Sequence, residues 1–293
     1  MKNVIRFIVD STCDLPEEIM EKYGILMMPL HVILKGRDYR DKVEITTDEV
    51  FSAMHSGILP KTSQVSPADV YQTFQGCCER GEDFIYLAFS AALSGTYQLA
   101  ETVLAKFQPN YPDRKMRIID SKSGSVAIGL MALQAVKMAE AGYDFAAVSR
   151  HIAYLTEHIE HVFTIADIGW LVKGGRITKL QGMLGSLLDI RPILDVKNGL
   201  LHLMKKARGS QKALNMVADT LVERIEAFPG QIIGIAHSDN LPGAEELKNL
   251  LAERTGTQNF IISKIGSVLG SHLGIGGLGL FFFNQKPAPY FPL

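Results

Sequence analysis

The chain has 293 residues, of which 47% are hydrophobic, and it carries 30 lysines and arginines against 31 aspartates and glutamates. This length exceeds that of a usual single core, so we expect one large or two ordinary domains and favour two. The formal net charge of -1 argues against a protein whose main partner is nucleic acid.

The first half of the chain alternates short apolar runs with amphipathic segments. Strands are predicted at 4–9, 27–34, 84–89 and 116–120, with helical patterns between them. Strands that alternate with helices predict a mainly parallel sheet covered on both faces. The first strand has no signal-peptide pattern, and the three cysteines lack the spacing of a disulfide framework or a C-x-x-C metal site, so we expect a reducing cytoplasm.

The second half changes character after an amphipathic helix predicted at 145–161, which we take as the domain junction. The expected domains are therefore residues 1–160 and 161–293. Two strand-like runs, RPILDV and LLHLMKK, flank Asn198-Gly199, the strongest short hairpin signal. Further strands at 231–238 and 260–265 alternate with helices near 207–228 and 242–256, so this half predicts a mixed sheet. The overall expectation is an α/β protein with two α/β domains and a ligand between them.

Hydroxyl side chains collect in three loops that follow or precede predicted strands, at 10–12, 61–67 and 90–96. Ligands bind at the carboxyl ends of strands in open α/β sheets, so these loops are candidate sites. Ser66 and Ser94 also stand where helix caps are expected. Thr62 lies too early to cap the helix that Pro67 opens, and Gly95 lets backbone amides approach a ligand. Hydroxyls and free amides with no nearby fixed cation suit a single carboxylate or phosphate.

Other chemistries have weaker support. Ser94 is not in a G-x-S-x-G elbow and has no base close in sequence, although a remote base is compatible with a serine nucleophile. His151, His158 and His161 have helical spacing, for which a partly solvated helix face is preferred over a metal site. Three aspartates each end a predicted strand, and we expect them to support neighbouring turns. They are Asp10, Asp120 and Asp167.

An uncharged segment of 21 residues, IGSVLGSHLGIGGLGLFFFNQ, lies between Lys264 and Lys286. Its glycine density and its flanks disfavour a membrane span. A dinucleotide loop is excluded because too little chain follows Gly279 for the remaining elements of that fingerprint. We expect a strand, a glycine-rich loop that carries His272, and a last strand. Glycines around one imidazole favour a ligand contact over a buried structural histidine.

Eight motifs together resemble the DegV family of bacterial fatty-acid-binding proteins, the lipid-carrying subunits of fatty acid kinase. They occur in the expected order over nearly the whole chain and read VDSTCDLP, KTSQVSP, AALSGTYQLA, IDSKSGSVAIG, LVKGGRI, RPIL, KKARGSQKAL and GSHLGIGGLG. One departure is Ile275, which stands where the family often has proline, so the local loop shape is expected to differ. The resemblance implies two α/β domains with a long-chain fatty acid held between them.

The resemblance also implies a division of labour. Thr62, Ser94 with Gly95, and His272 would bind the fatty acid carboxylate, and no catalytic residue, metal or cofactor other than the bound lipid is expected. A separate ATP-binding kinase subunit would form the acyl phosphate for phospholipid synthesis, and Arg208 would help to dock that subunit. A solvated face and a transient contact with an anionic membrane remain alternatives for the basic cluster of Lys205, Lys206, Arg208 and Lys212. A different class stays open: a self-contained phosphotransferase or hydrolase that uses Ser94 or His272.

Overall fold

The computed structural model describes residues 4–176, 190–225 and 228–292. The first half contains, in order, β1 (Ile5–Asp10), α1 (Glu17–Lys22), β2 (Leu26–Met28), β3 (His31–Leu34), β4 (Arg37–Arg40), α2 (Thr47–His55), β5 (Lys61–Ser63), α3 (Pro67–Glu79), β6 (Asp83–Ala88), α4 (Thr96–Phe107), β7 (Met116–Asp120), α5 (Val126–Glu140) and α6 (Phe145–His158). The second half contains β8 (Ile159–Thr164), α7 (Gly169–Lys173), β9 (Ile190–Lys197), β10 (Leu200–Arg208), α8 (Ser210–Arg224), β11 (Ile233–His237), α9 (Leu241–Thr255), β12 (Phe260–Lys264), α10 (Ser267–Leu273) and β13 (Leu278–Phe283).

Three sheets organise these strands. The first has four parallel strands in the order β2-β1-β6-β7. The second has six strands in the order β10-β9-β8-β13-β11-β12, of which β11 and β12 are parallel and the other neighbours antiparallel. The predicted α/β fold, with one mainly parallel and one mixed sheet, is confirmed. The boundary between residues 160 and 161 stays a prediction.

A third, antiparallel sheet of order β4-β3-β5 was not predicted. The single strand expected at 27–34 is wrong, because the chain leaves the first sheet after β2 and enters this small sheet at β3. Pro29 lies at the break, where its missing amide hydrogen cannot continue a ladder. The small sheet matters for the site because β5, its edge strand, carries Thr62.

Helix α5 lies between the two large sheets and is buried on nearly all sides. Its sequence, VAIGLMALQAVKMAE, is apolar around the whole helix rather than on one stripe, which is the pattern of a central core helix. One cluster of buried side chains runs from Val9 and Leu87 of the first sheet, through α5, to Ala236 and Phe281 of the second. The two sheets therefore share a core, and their strand ends face a common space.

The segment around the predicted helix at 145–161 differs from its prediction. The helix predicted to reach residue 161 ends at His158, and β8 follows at once because the run IEHVFT favours a strand. His161 therefore lies in a strand opposite Phe281. The solvated helix face is also wrong, since His151 is 6% exposed and His158 bonds Asn284 Oδ1 at 3.0 Å through its Nδ1.

The uncharged segment between Lys264 and Lys286 also differs from its predicted structure. His272 was expected in a loop, but it lies in the short helix α10. Gly270 of this helix packs so closely on Phe51 of α2 that an added Cβ would come within 2.7 Å of the ring. Tertiary contact thus compensates for the low helix propensity of glycine. Among the described residues, no helix is both long enough and apolar enough to cross a membrane.

Candidate functional site

A cavity of about 1020 Å³, including its open mouth, lies between the two large sheets. It adjoins the carboxyl ends of β6 and β7, where ligands of open α/β sheets bind. β8, β13 and α10 supply the facing wall. Most of its lining is apolar, and representative side chains are Phe89, Leu93, Phe163, Leu201, Leu269 and Phe281. A largely apolar concave lining with a few polar groups is typical of small-molecule sites.

Polar side chains from three distant segments line this cavity. Thr62 comes from β5, Ser94 from the loop before α4, and His272 from α10, and all three line the cavity and are half-buried. The Thr62 hydroxyl and His272 Nε2 share a hydrogen bond of 2.7 Å across 210 positions of sequence. The structure therefore brings Thr62 into contact with His272 and places Ser94 on the same cavity, and their role in ligand binding stays a prediction.

Gly95 is placed beside them by a close approach rather than by an unusual backbone angle. A Cβ on this residue would lie 2.1 Å from Gln64 Oε1, so the glutamine side chain lies against the first turn of α4. The Ser94 hydroxyl accepts from Thr96 N at 3.2 Å and donates to Thr96 Oγ1 at 3.0 Å. Its expected role as a helix cap is thus met in part, while Ser66 caps α3 as predicted by accepting from Asp69 N at 3.0 Å.

His272 is held neutral by its surroundings. Burial and the nearby charge of Arg176 lower the pKa of His272 to about 4. Its Nδ1 has no hydrogen-bond partner among the described residues and faces Gly174, where a Cβ would come within 2.2 Å. At neutral pH the imidazole therefore carries one proton, with one nitrogen as donor and the other as acceptor.

The expectation that no cation lies near the hydroxyls is wrong. Arg176 lines the cavity and donates from Nη1 to Gly174 O at 2.8 Å. Arg176 was not predicted as a site residue because it lies more than 80 positions from Ser94 in the chain. The motif LVKGGRI contained it, but spacing alone gives no chemical role. Gln64 was also not predicted, because its position in the motif KTSQVSP gives it no chemical role either.

The N-terminus of α10 is fixed by Asp14, a buried aspartate that sequence reasoning did not single out. Its carboxylate accepts from Gly266 N at 2.9 Å and from Ser125 Oγ at 2.6 Å, and Lys42 Nζ lies 3.4 Å away. These contacts join the loop after β1, the start of α5 and the start of α10. Asp14 therefore positions the helix that carries His272.

The three aspartates predicted at strand ends all support turns, but only Asp10 and Asp120 end strands, because β8 ends at Thr164, three residues before Asp167. Asp10 is buried and accepts from Tyr86 OH at 3.0 Å and from Phe89 N at 2.7 Å. Asp120 accepts from Ala91 N at 3.0 Å, and Asp167 accepts from Gly169 N at 2.7 Å. Asp10 and Asp120 thus fix the loop that leads from β6 to Ser94.

Arg208 does not line the cavity, and the structure does not bring it to Thr62 or His272. It is exposed at the end of the edge strand β10. The strand register places it toward the Thr164 end of the second sheet, since Thr164 pairs with Ile193 and Ile193 with Lys205. Arg208 lies three residues further on, beyond that edge of the sheet.

Catalytic alternatives gain no geometric support within the described ranges. The Ser94 hydroxyl bonds Thr96, and no imidazole or carboxylate there forms a hydrogen bond with it. A nucleophilic serine would need such a base. The same ranges contain no group of three or more histidine, cysteine or acidic side chains able to hold a metal ion.

His161 gives this cavity wall a measurable pH dependence. Burial lowers the pKa of His161 from its ordinary value of 6.5 to about 4, so the unfolded chain binds more protons than the folded one between these pH values. The contribution of neutral His161 to the free energy of unfolding is therefore fully present above about pH 6.5 and is lost as the pH falls toward 4. We expect wild type to lose about 2 kcal/mol more than His161→Phe between about pH 7 and pH 4.5.

Urea unfolding of both proteins at the two pH values measures this difference. Contributions from all other titrating groups cancel because they are common to the two chains. Equal losses in wild type and variant would show that His161 accepts a proton in the folded protein.

The two large sheets and the cavity between them define a class of α/β protein with a largely apolar cavity that is also lined by hydroxyls and a neutral imidazole. The sequence profile of an uncharacterised protein family, the DegV family, matches residues 4–285. The chain belongs to this family.

Individual relatives agree over almost the full length. A DegV domain-containing protein of Clostridium perfringens is 33% identical over 292 residues, which cover 99% of this chain and 100% of the relative. A fatty-acid-binding DegV protein of Thermus thermophilus is 30% identical, with a TM-score of 0.88 over 96% of this chain and 99% of the other. A stearic-acid-binding protein of Eubacterium ventriosum is 26% identical, with a TM-score of 0.89 over 95% and 98%.

Proposed function

We propose that this protein binds a long-chain fatty acid in the cavity between its sheets and presents the carboxylate to a separate ATP-dependent kinase subunit. The observation that carries the proposal is the joining of an apolar cavity to a cluster of Thr62, Ser94 and His272 at one end. An apolar chain and a single anionic head group match these two parts. The relatives from Thermus thermophilus and Eubacterium ventriosum, whose fatty acid binding is described, support the same ligand class.

The hydrogen bonds of the polar end define how a carboxylate would be held. In one tautomer, His272 Nε2–H donates to Thr62 Oγ1, which leaves the threonine hydroxyl proton free to donate to the ligand. The Ser94 hydroxyl and the backbone N–H of Gly95 lie at the start of α4, where the helix dipole favours an anion. Arg176 adds a positive charge near the mouth.

Affinity and orientation come from different parts of the site. Burial of each methylene contributes about 0.8 kcal/mol, so a chain of about sixteen carbons supplies most of the binding energy. The hydrogen bonds to the head group contribute less but fix which end enters the cavity. A carboxylate held at the half-buried end is accessible for transfer of a phosphoryl group by a partner.

A carrier role also fits the lack of a serine-base pair among the described residues. The competing function, a self-contained hydrolase or phosphotransferase, predicts turnover by the purified chain alone. The carrier predicts an acyl phosphate only when an ATP-binding kinase subunit is added. The assay is incubation with palmitate and radiolabelled ATP, with and without that subunit. Product formed by the chain alone would refute the carrier role.

The direct test of ligand identity is native mass spectrometry of the purified protein. We expect a non-covalent adduct with the mass of a sixteen- to eighteen-carbon fatty acid, and lipid extraction should release that acid. A protein that stays free of adduct after incubation with a panel of fatty acids would exclude the proposed ligand.

Arg208→Ala should leave palmitate binding unchanged and slow phosphorylation of the bound lipid by about fivefold or more. The reason is that Arg208 is exposed at the polar end of the sheet, and an arginine at the centre of an interface contributes about 1 kcal/mol or more. The measurement is the initial rate of acyl phosphate formation at limiting kinase concentration. Arg150→Ala, at an exposed arginine of α6, is the matched control and should keep the wild-type rate. Equal rates for both variants would remove Arg208 from the docking surface.

A further inference from the structure

The apolar cavity has a second polar feature, away from the head-group cluster. His161 of β8 and Ser123 of the loop after β7 line the cavity from facing sides and are 4% and 2% exposed. Neither ring nitrogen of His161 nor the Ser123 hydroxyl has a hydrogen-bond partner among the described residues. Buried polar groups are nearly always paired, so unpaired groups on the lining of a ligand-binding cavity, among them the Thr164 hydroxyl as well, indicate a partner that the ligand itself supplies.

The position of this feature follows from the strand register. Thr164, at the head-group end of β8, pairs with Leu278, whereas His161 pairs with Phe281. Three residues of strand separate the two levels by about 10 Å. A chain bound with its carboxylate at Thr62 and His272 would therefore pass His161 part of the way along its length rather than at its head.

The surroundings of His161 define what chemistry it can meet there. Its ring makes an edge-to-face contact with Phe281, with centroids 5.6 Å apart and planes at 84°. Such a contact can accommodate an N–H donor, but it leaves the acceptor nitrogen of a neutral imidazole unpaired. Burial keeps the ring uncharged at neutral pH by lowering the pKa of His161 to about 4. A neutral donor and acceptor pair does not suit a second anion.

We propose that His161 and Ser123 form a subsite for an alcohol on the acyl chain, so that the cavity accepts hydroxylated long-chain fatty acids. An alcohol donates to the free imidazole nitrogen and accepts from the Ser123 hydroxyl, which satisfies both protein groups at once. This inference rests on the proposed binding of fatty acids.

The test compares the affinity of stearate with that of hydroxystearates that differ in the position of the alcohol, by displacement of a fluorescent fatty acid. Burial of an unpaired hydroxyl would weaken binding by about tenfold. We expect at least one hydroxystearate to bind wild type as tightly as stearate. In His161→Phe the same isomer should bind about tenfold more weakly than stearate, and His161→Gln, which keeps a donor and an acceptor, should restore much of the preference.

His151→Phe is the matched control, because His151 is also a buried histidine with an unpaired Nε2 but does not line the cavity. His151→Phe should keep the wild-type ratio of the affinity for the hydroxystearate to the affinity for stearate. The subsite is refuted if every isomer binds wild type about tenfold more weakly than stearate, or if His161→Phe leaves the ratio unchanged, as when trapped water satisfies the ring. If stearate itself fails to bind, the proposed function fails as well, so the two failures are distinguishable.

Discussion

The double variant Thr62→Val/Ser94→Ala should bind palmitate about 100-fold or more weakly than wild type. With the ligand bound, each hydroxyl is expected to donate one hydrogen bond to the charged carboxylate, Ser94 by turning its proton away from Thr96 Oγ1, and such bonds contribute about 1.5–3 kcal/mol each. Two of them correspond to a factor of about 100 or more in the dissociation constant. The substitutions keep the approximate shape of the side chains, so the apolar cavity should persist.

Palmitate methyl ester separates the head-group effect from damage to the cavity. The ester cannot present a carboxylate, so wild type and double variant should bind it with similar affinity. Ser52→Ala/Thr102→Val is the matched control, because it removes two exposed hydroxyls from helices outside the cavity. Isothermal titration calorimetry of wild type, double variant and control with both ligands gives the affinities required. If the double variant holds palmitate as tightly as wild type does, the carboxylate lies elsewhere.

Much of the architecture could be predicted from the sequence because the large sheets consist of locally consistent segments. β7 matches the predicted strand at 116–120, and the Asn198-Gly199 turn has positive φ values of 51° and 77°, as its hairpin signal requires. Apolar strands bounded by turn residues keep their local preference when they are packed. The alternation of strands and helices then fixes a parallel first sheet.

The third sheet and α10 were not predictable in the same way. β5 has only three residues, too few for a periodic pattern, and it becomes a strand because it pairs with β3. α10 contains Gly270 and is held by Phe51 and by the carboxylate of Asp14, both more than 200 positions away. In both elements, distant contacts override local propensity.

The candidate site shows the same division. Thr62, Ser94 and His272 could be singled out because each had a local reason to be exceptional: a hydroxyl too early for a cap, a glycine beside a helix start, and an imidazole among glycines. Arg176, Gln64 and Asp14 had no such local signal. Their importance arises from the spatial assembly, and only the contacts of the folded chain reveal it.

Asp14→Ala should lower the free energy of unfolding by about 3 kcal/mol. Asp14 is 2% exposed and holds three partners from separate segments, so alanine leaves Gly266 N and Ser125 Oγ unpaired and removes the charge beside Lys42. Loss of one partner of a buried ion pair costs about 3–5 kcal/mol, and the partial exposure of Lys42, 23%, places the expected loss at the lower end. Asp14→Asn keeps an acceptor for the amide of Gly266 and should lose about half as much.

Urea unfolding at neutral pH measures this loss, with Asp167→Ala as the matched control. Asp167 is an exposed carboxylate that accepts one backbone N–H, so its removal should cost no more than about 1 kcal/mol. Palmitate affinity should also be measured for Asp14→Ala and Asp167→Ala without urea, where both are folded. Only Asp14→Ala should bind palmitate more weakly than wild type, because Asp14 fixes the start of the helix that holds His272 against Thr62. Asp14→Ala could instead lose as little stability as Asp167→Ala. That result would mean that apolar contacts hold α10, chiefly the packing of Gly270 on Phe51. The head-group geometry would then not depend on the buried carboxylate of Asp14.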